Sequence, residues 1–200
     1  MRYGGTKPGA TTELSGGVLA LYTSCGNRCS VSYEVTAPAG VRVSGHNGSG
    51  ALDLSGVSTV SVDVGSGAVT VRHASGNVNA RTGSGAIRLD DVHGSVVAHA
   101  DSGAIRLTGI DGSVAATTGS GAISVQLAGA DDVTAHTGSG TVQVSVPSGS
   151  RYRVAATSDS RHVDVGIATD PGHVDVGIAT DPGADHALDV RTQSGSITVR

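Results

Sequence analysis

Arg88, Asp90 and Arg106 are the side chains whose types and spacing best suit work on a ligand. Arg88 and Arg106 lie eighteen residues apart in matching contexts, AIRLD and AIRLT, and Asp90 follows Arg88 by two. Two guanidiniums beside a carboxylate could grip an acidic sugar, as clustered basic and acidic groups do in β-helical polysaccharide lyases and hydrolases. Opposed charges on a sheet face are also ordinary cross-strand pairs. The loop before each arginine, GSGA or DSGA, invites a second reading as a phosphate cradle. That chemistry needs a helix N-terminus after the loop and, in one version, a lysine. Every copy here runs into strand-forming residues, and none carries Lys. Nucleotide binding is not expected.

Other groups fare no better as sites. The paired nonapeptides of calcium-binding β-rolls carry an Asp at a fixed place, where this chain has Ala, Ile or Arg. Asp90-Asp91, Asp101, Asp111 and Asp131-Asp132 fall near turns. A hard cation needs six or more oxygens, so solvated turn carboxylates are the default and adventitious calcium at one corner the alternative. His99 and His136, two of eight histidines, stand two repeats apart, about 9.6 Å at the spacing of paired strands, too far to share a metal. Cys25 and Cys29, in SCGNRCS, would close a small disulfide loop in an oxidising compartment, or remain two buried thiols. A structural zinc needs four ligands, and no histidine lies near them. The chain has no Gly-x-Ser-x-Gly elbow, no His-Glu-x-x-His and no Cys–His arrangement. Sugar-stacking aromatics are also missing. A non-enzymatic protein without catalytic residues, metal or cofactor is expected.

The elements that must position Arg88 and Arg106 emerge from a repeat. GSGA-like segments recur with their second glycine at Gly50, Gly67, Gly85, Gly103, Gly121 and Gly140, in steps of 17, 18, 18, 18 and 19. Weaker half-copies lie between them, so the unit is about nine residues, doubled to eighteen. One apolar column holds Val60, Val78, Val96, Val114 and Val133, and another Val69, Ile87, Ile105, Ile123 and Val142. Two residues beyond each lies a further column: Val62, Ala80, Ala98, Ala116, Ala135, and Val71, Leu89, Leu107, Val125, Val144. The positions between are Ser61, Asn79, Val97, Ala115, Thr134, and Thr70, Arg88, Arg106, Ser124, Gln143. This in-out-in alternation is the signature of short strands with one buried face. Like residues at like depth, eighteen apart, predict an all-β, single-chain β-solenoid of parallel sheets stacked rung on rung. A β-sandwich, which also turns every eight to twelve residues, is the alternative. In the solenoid, Ile87 and Leu89 fill the stack while Arg88 and Asp90 face outward.

Composition agrees. The chain has 31 glycines in 200 residues, no Phe or Trp and four Tyr. Any core must use Val, Ile, Leu and Ala, which limits its thickness. A net charge of −4, with 13 Lys and Arg and no basic run, speaks against nucleic-acid binding. Val18–Tyr22 is too short to cross a bilayer or to form a signal-peptide core, so the chain reads as soluble or as separated from an export segment upstream.

The expected organisation is one domain. N-terminal strands and a cap occupy 1–40, regular repeats 41–146, and C-terminal strands 147–200. The last part holds HVDVGIATDPG at 162–172, repeated without change at 173–183. Eleven does not fit the nine-residue phase. One copy is expected to continue the fold, and the other to bulge out or add a hairpin. Unpaired edges at the solenoid ends must be capped, and a chain lacking a cap would associate edge to edge.

The SGSGA(I/V)xL repeats, CGNRCSVSYEVTAPAGVRV at 25–43 and the closing DVRTQSGSITVR at 189–200 resemble the bacterial adhesin-like family of glycine-rich β-strand repeat proteins of the DUF4097 type. The resemblance runs from about residue 22 onward. It implies a single-chain β-helical stack in the cell envelope or outside the cell, often tethered by an N-terminal membrane segment that this sequence does not show. It implies a structural or binding module whose partner is a protein or cell-surface glycan, and it brings no catalytic residues. The alternatives are an envelope-stress sensor or scaffold binding a protein or membrane partner, and a β-helical carbohydrate-active enzyme.

Overall fold

The computed structural model describes residues 2–4, 12–22, 30–160, 162–166, 181 and 183–200. They form two compact units, Met1–Pro38 and Ala39–Arg200. Among the described residues every regular element is a strand.

In the first unit, β1 (Arg2–Gly4) pairs antiparallel with β4 (Ser30–Ser32), and β2 (Thr12–Ser15) with β3 (Val18–Leu21). Gly16 and Gly17, at φ +56° and +79°, make the tight turn between β2 and β3. Two positive-φ residues in a row are what a two-residue hairpin with right-twisted strands requires. Leu14 lies opposite Leu19, and Thr12 opposite Leu21.

The second unit is a parallel β-solenoid with a repeat of about eighteen residues, made of two eight-stranded sheets. Alternate strands belong to alternate sheets because each rung contributes one strand to each. The first sheet holds β5 (Val43–Ser49), β7 (Val60–Ser66), β9 (Val78–Ser84), β11 (Val96–Ser102), β13 (Val114–Ser120) and β15 (Val133–Ser139). The second holds β6 (Leu52–Ser55), β8 (Val69–Ala74), β10 (Ile87–Val92), β12 (Ile105–Ile110), β14 (Ile123–Leu127) and β16 (Val142–Ser145). Registers match the columns read from the sequence: Ile87 beside Ile105 beside Ile123, and Ala80 beside Ala98 beside Ala116. These aliphatic columns are buried, most of them completely, in one continuous core. Alanine along the first sheet keeps that core thin.

The corners explain the repeat. Gly67, Gly85, Gly103, Gly121 and Gly140 all lie between φ +142° and +158°, where side-chain-bearing residues are strained. Each stacks on the corner of the rung before: a Cβ on Gly103 would lie 2.7 Å from the Gly85 carbonyl carbon and nearer still to its oxygen. The first glycine of GSG is less constrained. Its column reads Gly65, Gly83, Asp101, Gly119, Gly138, and the chain itself places a side chain there at Asp101. Just inside the corner, Thr82, Thr118 and Thr137 are buried. Their hydroxyls donate to Gly67 O, Gly103 O and Gly121 O of the preceding rung, each at 3.0 Å.

The last two rungs are exchanged relative to chain order. β17 (Tyr152–Ser158) and β18 (His162–Val165) form the outermost rung. β19 (His186–Ser194) and β20 (Ser196–Val199), last in sequence, lie between it and β15–β16. The corner chemistry accounts for this order. Residues 192–195 read Thr-Gln-Ser-Gly, and Gly195 takes φ +151° over Gly140 as in the regular array. Thr192 donates to Gly140 O at 3.1 Å, which repeats the threonine latch. Residues 158–161 read Ser-Asp-Ser-Arg, with no glycine to lie flat against a neighbouring corner. Ser158 Oγ donates to Gly195 O at 2.7 Å. Ser160 Oγ donates to the same oxygen at 2.6 Å and accepts from Gly195 N at 2.9 Å. In regular rungs that amide donates to a serine carbonyl, as Gly121 N does to Ser139 O at 2.8 Å. A side chain thus closes the ladder where main chain would have continued it. Tyr152, 1% exposed, fills the end of the first sheet, its ring centroid 5.9 Å from that of His186.

Candidate binding face

Arg88 and Arg106 reach the surface because each lies between two buried residues of a strand: Ile87 and Leu89 around the first, Ile105 and Leu107 around the second. Parallel in-register pairing of β10 with β12 sets the two arginines side by side, about 4.8 Å apart along the stack at the usual strand spacing. Asp53 and Thr70 precede them in the same outward column, and Ser124, Gln143, Thr198 and Asp164 follow, Thr198 on the inserted rung and Asp164 on the outermost one. Among the described residues no carboxylate lies within ion-pair distance of Arg88 or Arg106, whereas Arg72 Nη1 meets Asp53 Oδ1 at 2.8 Å. Asp90 is exposed in the neighbouring outward column, in register with Arg72 and Thr108. The three residues singled out from the sequence therefore share one face. The arrangement offers hydrogen-bond donors in a straight row, with two adjacent cations at its centre. Such a row can hold an extended anionic ligand by charge-assisted hydrogen bonds.

The outward column of the first sheet runs His46, Asp63, Arg81, His99, Thr117, His136, Arg191. Three of its groups pair with carboxylates outside the column. His99 Nε2 lies 3.1 Å from Asp101 Oδ1, and Arg191 holds both Asp189 oxygens at 2.7 and 2.9 Å. His136 Nε2, buried, lies 3.4 Å from Asp189 Oδ1. Burial opposes charge on Asp189, but the hydrogen bonds and field of Arg191, with His136 beside it, prevail and hold its carboxyl below the ordinary carboxylate range. This triad joins β15 to the inserted β19. Asp132 Oδ1 strengthens the same seam by accepting from Ala187 N at 2.7 Å.

Corner carboxylates follow the same logic. His73 and Asp91 occupy the same place on successive rungs of the second sheet as Gly56 and Gly109, all at φ between +54° and +67°. Asp and His tolerate this conformation better than most residues. His73 Nδ1 lies 2.8 Å from Asp91 Oδ2, and His93 Nδ1 lies 3.8 Å from Asp91 Oδ1. The hydrogen bond from His73 is the main reason the Asp91 carboxyl sits below its usual value. Among the described residues no three His, Cys, Asp or Glu side chains converge as metal ligands, and no helix is long and apolar enough to cross a membrane. Cys25 and Cys29 lie outside the described residues, as does most of the duplicated segment beyond β18.

The Thr-x-Ser-Gly latch and the exchanged rungs are absent from the sequence reading. The latch was legible: Thr stands three residues before the corner glycine at 82, 118, 137 and 192. The exchange carried a subtler signal, Gly195 against Arg161.

A family model described as Toastrack DUF4097 matches residues 23–200. No curated protein and no solved structure matches the chain. The matched span takes in every rung of the solenoid together with the segment leading into it, and by that match the chain belongs to the Toastrack DUF4097 family.

Proposed function

We propose that this protein is a non-enzymatic, adhesin-like binding module of the cell envelope or the extracellular space, whose solenoid displays polar side chains in ladders to a cell-surface glycan. The observation that carries this reading is the outward column Thr70, Arg88, Arg106, Ser124, Gln143, Thr198, held in register by six successive strands. Each of these six rungs adds one donor group at a spacing of about 4.8 Å, so affinity for an extended acidic chain accrues by repetition between Asp53 and Asp164, the carboxylates that end the column. Little reorganisation is needed, because the main-chain ladder fixes the side-chain roots beforehand. Pulldown of cell-wall fractions by the pure protein tests this. Retention of acidic glycan by the wild type, and its loss from an Arg88→Ala/Arg106→Ala variant, supports the reading; equal retention by both refutes it.

A second reading, a scaffold that binds a protein or membrane partner, draws on the N-terminal unit. Leu14, Leu19 and Leu21 lie on one face of the β2–β3 hairpin and are 74%, 44% and 40% exposed. Binding only to a membrane-protein partner, insensitive to Arg88 and Arg106, would favour it.

A further inference from the structure

Arg88 and Arg106 stand in register on β10 and β12, both exposed, about 4.8 Å apart along the stack. Like charges set directly opposite each other on neighbouring strands destabilise a sheet. Among the described residues no carboxylate relieves this pair. Asp53, the nearer carboxylate of their own column, lies two rungs before Arg88 and is held by Arg72 Nη1 at 2.8 Å. Asp90, in the next column, lies in register with Arg72 instead. The uncompensated charge is confined to two adjacent rungs, with a hydroxyl on either side: Thr70 before and Ser124 after. We infer that Arg88 and Arg106 form one seat for a phosphoryl group, so that the acidic glycan is one whose charge is phosphate and not carboxylate. This rests on the glycan reading and narrows it.

Geometry separates the two anions. A carboxylate carries its two oxygens in one plane and fits a single guanidinium fork by two parallel bonds. Bound to Arg88 in that way, it leaves Arg106 only an edge. A phosphoryl group spreads its oxygens over a tetrahedron and offers different faces to two forks, a recognition that arginine serves better than lysine. Charge points the same way. The pair is doubly positive. A phosphate monoester carries about −1.5 to −2 at pH 7, whereas a carboxylate or a sulfate ester carries a single charge. A phosphodiester is also singly charged, but its two ester oxygens leave the group in opposite directions. The polymer then continues along the column over Thr70 and Ser124, whose hydroxyls can donate to it.

The two arginines act as a unit in such a seat, so losing either costs nearly as much as losing both. The two phosphate sources differ in their response to acid. A monoester loses charge as pH falls through about 6, and a diester does not. His73 and His93, at the corners that follow on this sheet and beside Asp91, gain positive charge over the same range, which favours any anion. A weakening on acidification therefore belongs to the ligand.

Calorimetric titration of the full-length chain at constant ionic strength tests the seat. The probes are dextrans of one length and equal substitution, bearing carboxymethyl, sulfate or phosphate monoester groups, and poly(glycerol phosphate). A phosphate-bearing polymer is expected to bind about tenfold or more tightly than carboxymethyl dextran, the worth of one further charged hydrogen bond. Preference for phosphate dextran that weakens below about pH 6 identifies a monoester. Preference for poly(glycerol phosphate), without that weakening, identifies a diester. Arg88→Ala, Arg106→Ala and the double variant should lose the preference to a similar extent. Arg88→Lys/Arg106→Lys should lose it while keeping the charge. Unchanged far-ultraviolet circular dichroism keeps loss of binding distinct from loss of fold. Tightest binding to the carboxymethyl or sulfate polymer, or a preference that survives the lysines, overturns the phosphoryl assignment and leaves the acidic-glycan reading standing. Binding to none of the four overturns both.

Discussion

Replacing the second glycine of one GSG corner should cost far more stability than replacing the first, although the two are separated by a single residue. Gly103→Ala places a methyl group at φ +151° and against the corner of the preceding rung, 2.7 Å from the Gly85 carbonyl carbon. Strain at such a backbone position is about 1–3 kcal/mol. Relief requires the corner to lift from its neighbours. That stretches Gly85 N to Ser102 O, now 3.1 Å, and Gly103 N to Ser120 O, now 2.8 Å, each worth about 0.5–1.5 kcal/mol net. The total expected is about 2–6 kcal/mol, a large share of the 5–15 kcal/mol typical of a folded domain. Gly119→Ala also meets a carbonyl, Asp101 O at 2.6 Å, but no left-handed φ. The chain already accommodates a side chain in that column, at Asp101 itself, and the backbone strain is absent, so the cost should be smaller than for Gly103→Ala. Equilibrium denaturation in guanidinium, followed by far-ultraviolet circular dichroism because the chain has no Trp, reads both. Equal losses, or a larger loss for Gly119→Ala, would refute the stacking argument.

Thr118→Val keeps the side-chain shape but removes the donor to Gly103 O. It should lower stability by about 1 kcal/mol in the same denaturation assay, with the fold retained because the same column holds Val64. Ala98→Leu enlarges a fully buried position in a thin core and should cost about 1–3 kcal/mol by forcing the sheets apart, seen as an earlier denaturation midpoint. Asp189, its carboxyl held below the usual range against desolvation by Arg191 and His136, stabilises the fold above the unfolded-chain value of about 3.9. That contribution disappears as pH falls through the lower folded value. The wild type should therefore exceed Asp189→Asn in stability at pH 7, and the difference should vanish in acid well below pH 4.

Strand-level features were the most legible in the sequence because the period-2 alternation and the eighteen-residue step reinforce each other. Ile87 and Ile105 could only stack if Arg88 and Arg106 stood side by side, so the outward arginine pair followed from spacing alone. The corner glycines were read as turn-makers. Their tighter role, lying flat on the carbonyl of the rung below, depends on the stacking distance and shows only in three dimensions. The order of the last rungs was hidden because both carry compatible columns: Val154 and Leu188 suit one position, Val163 and Ile197 another. What separates them is one corner, where Gly195 permits a rung on either side and Ser160 ends the ladder. The left-handed conformation of His73 and Asp91 was likewise hidden, since neither is the glycine that holds the same place at Gly56 and Gly109.

Binding of a purified acidic cell-wall glycan, as fragments of increasing length, separates a ladder of weak contacts from a single site. A ladder gives affinity that rises with fragment length until about six rungs are spanned, and that falls at least tenfold for the long fragments when Arg88 and Arg106 are both alanine. Length-independent binding, or binding untouched by the double substitution, would contradict it.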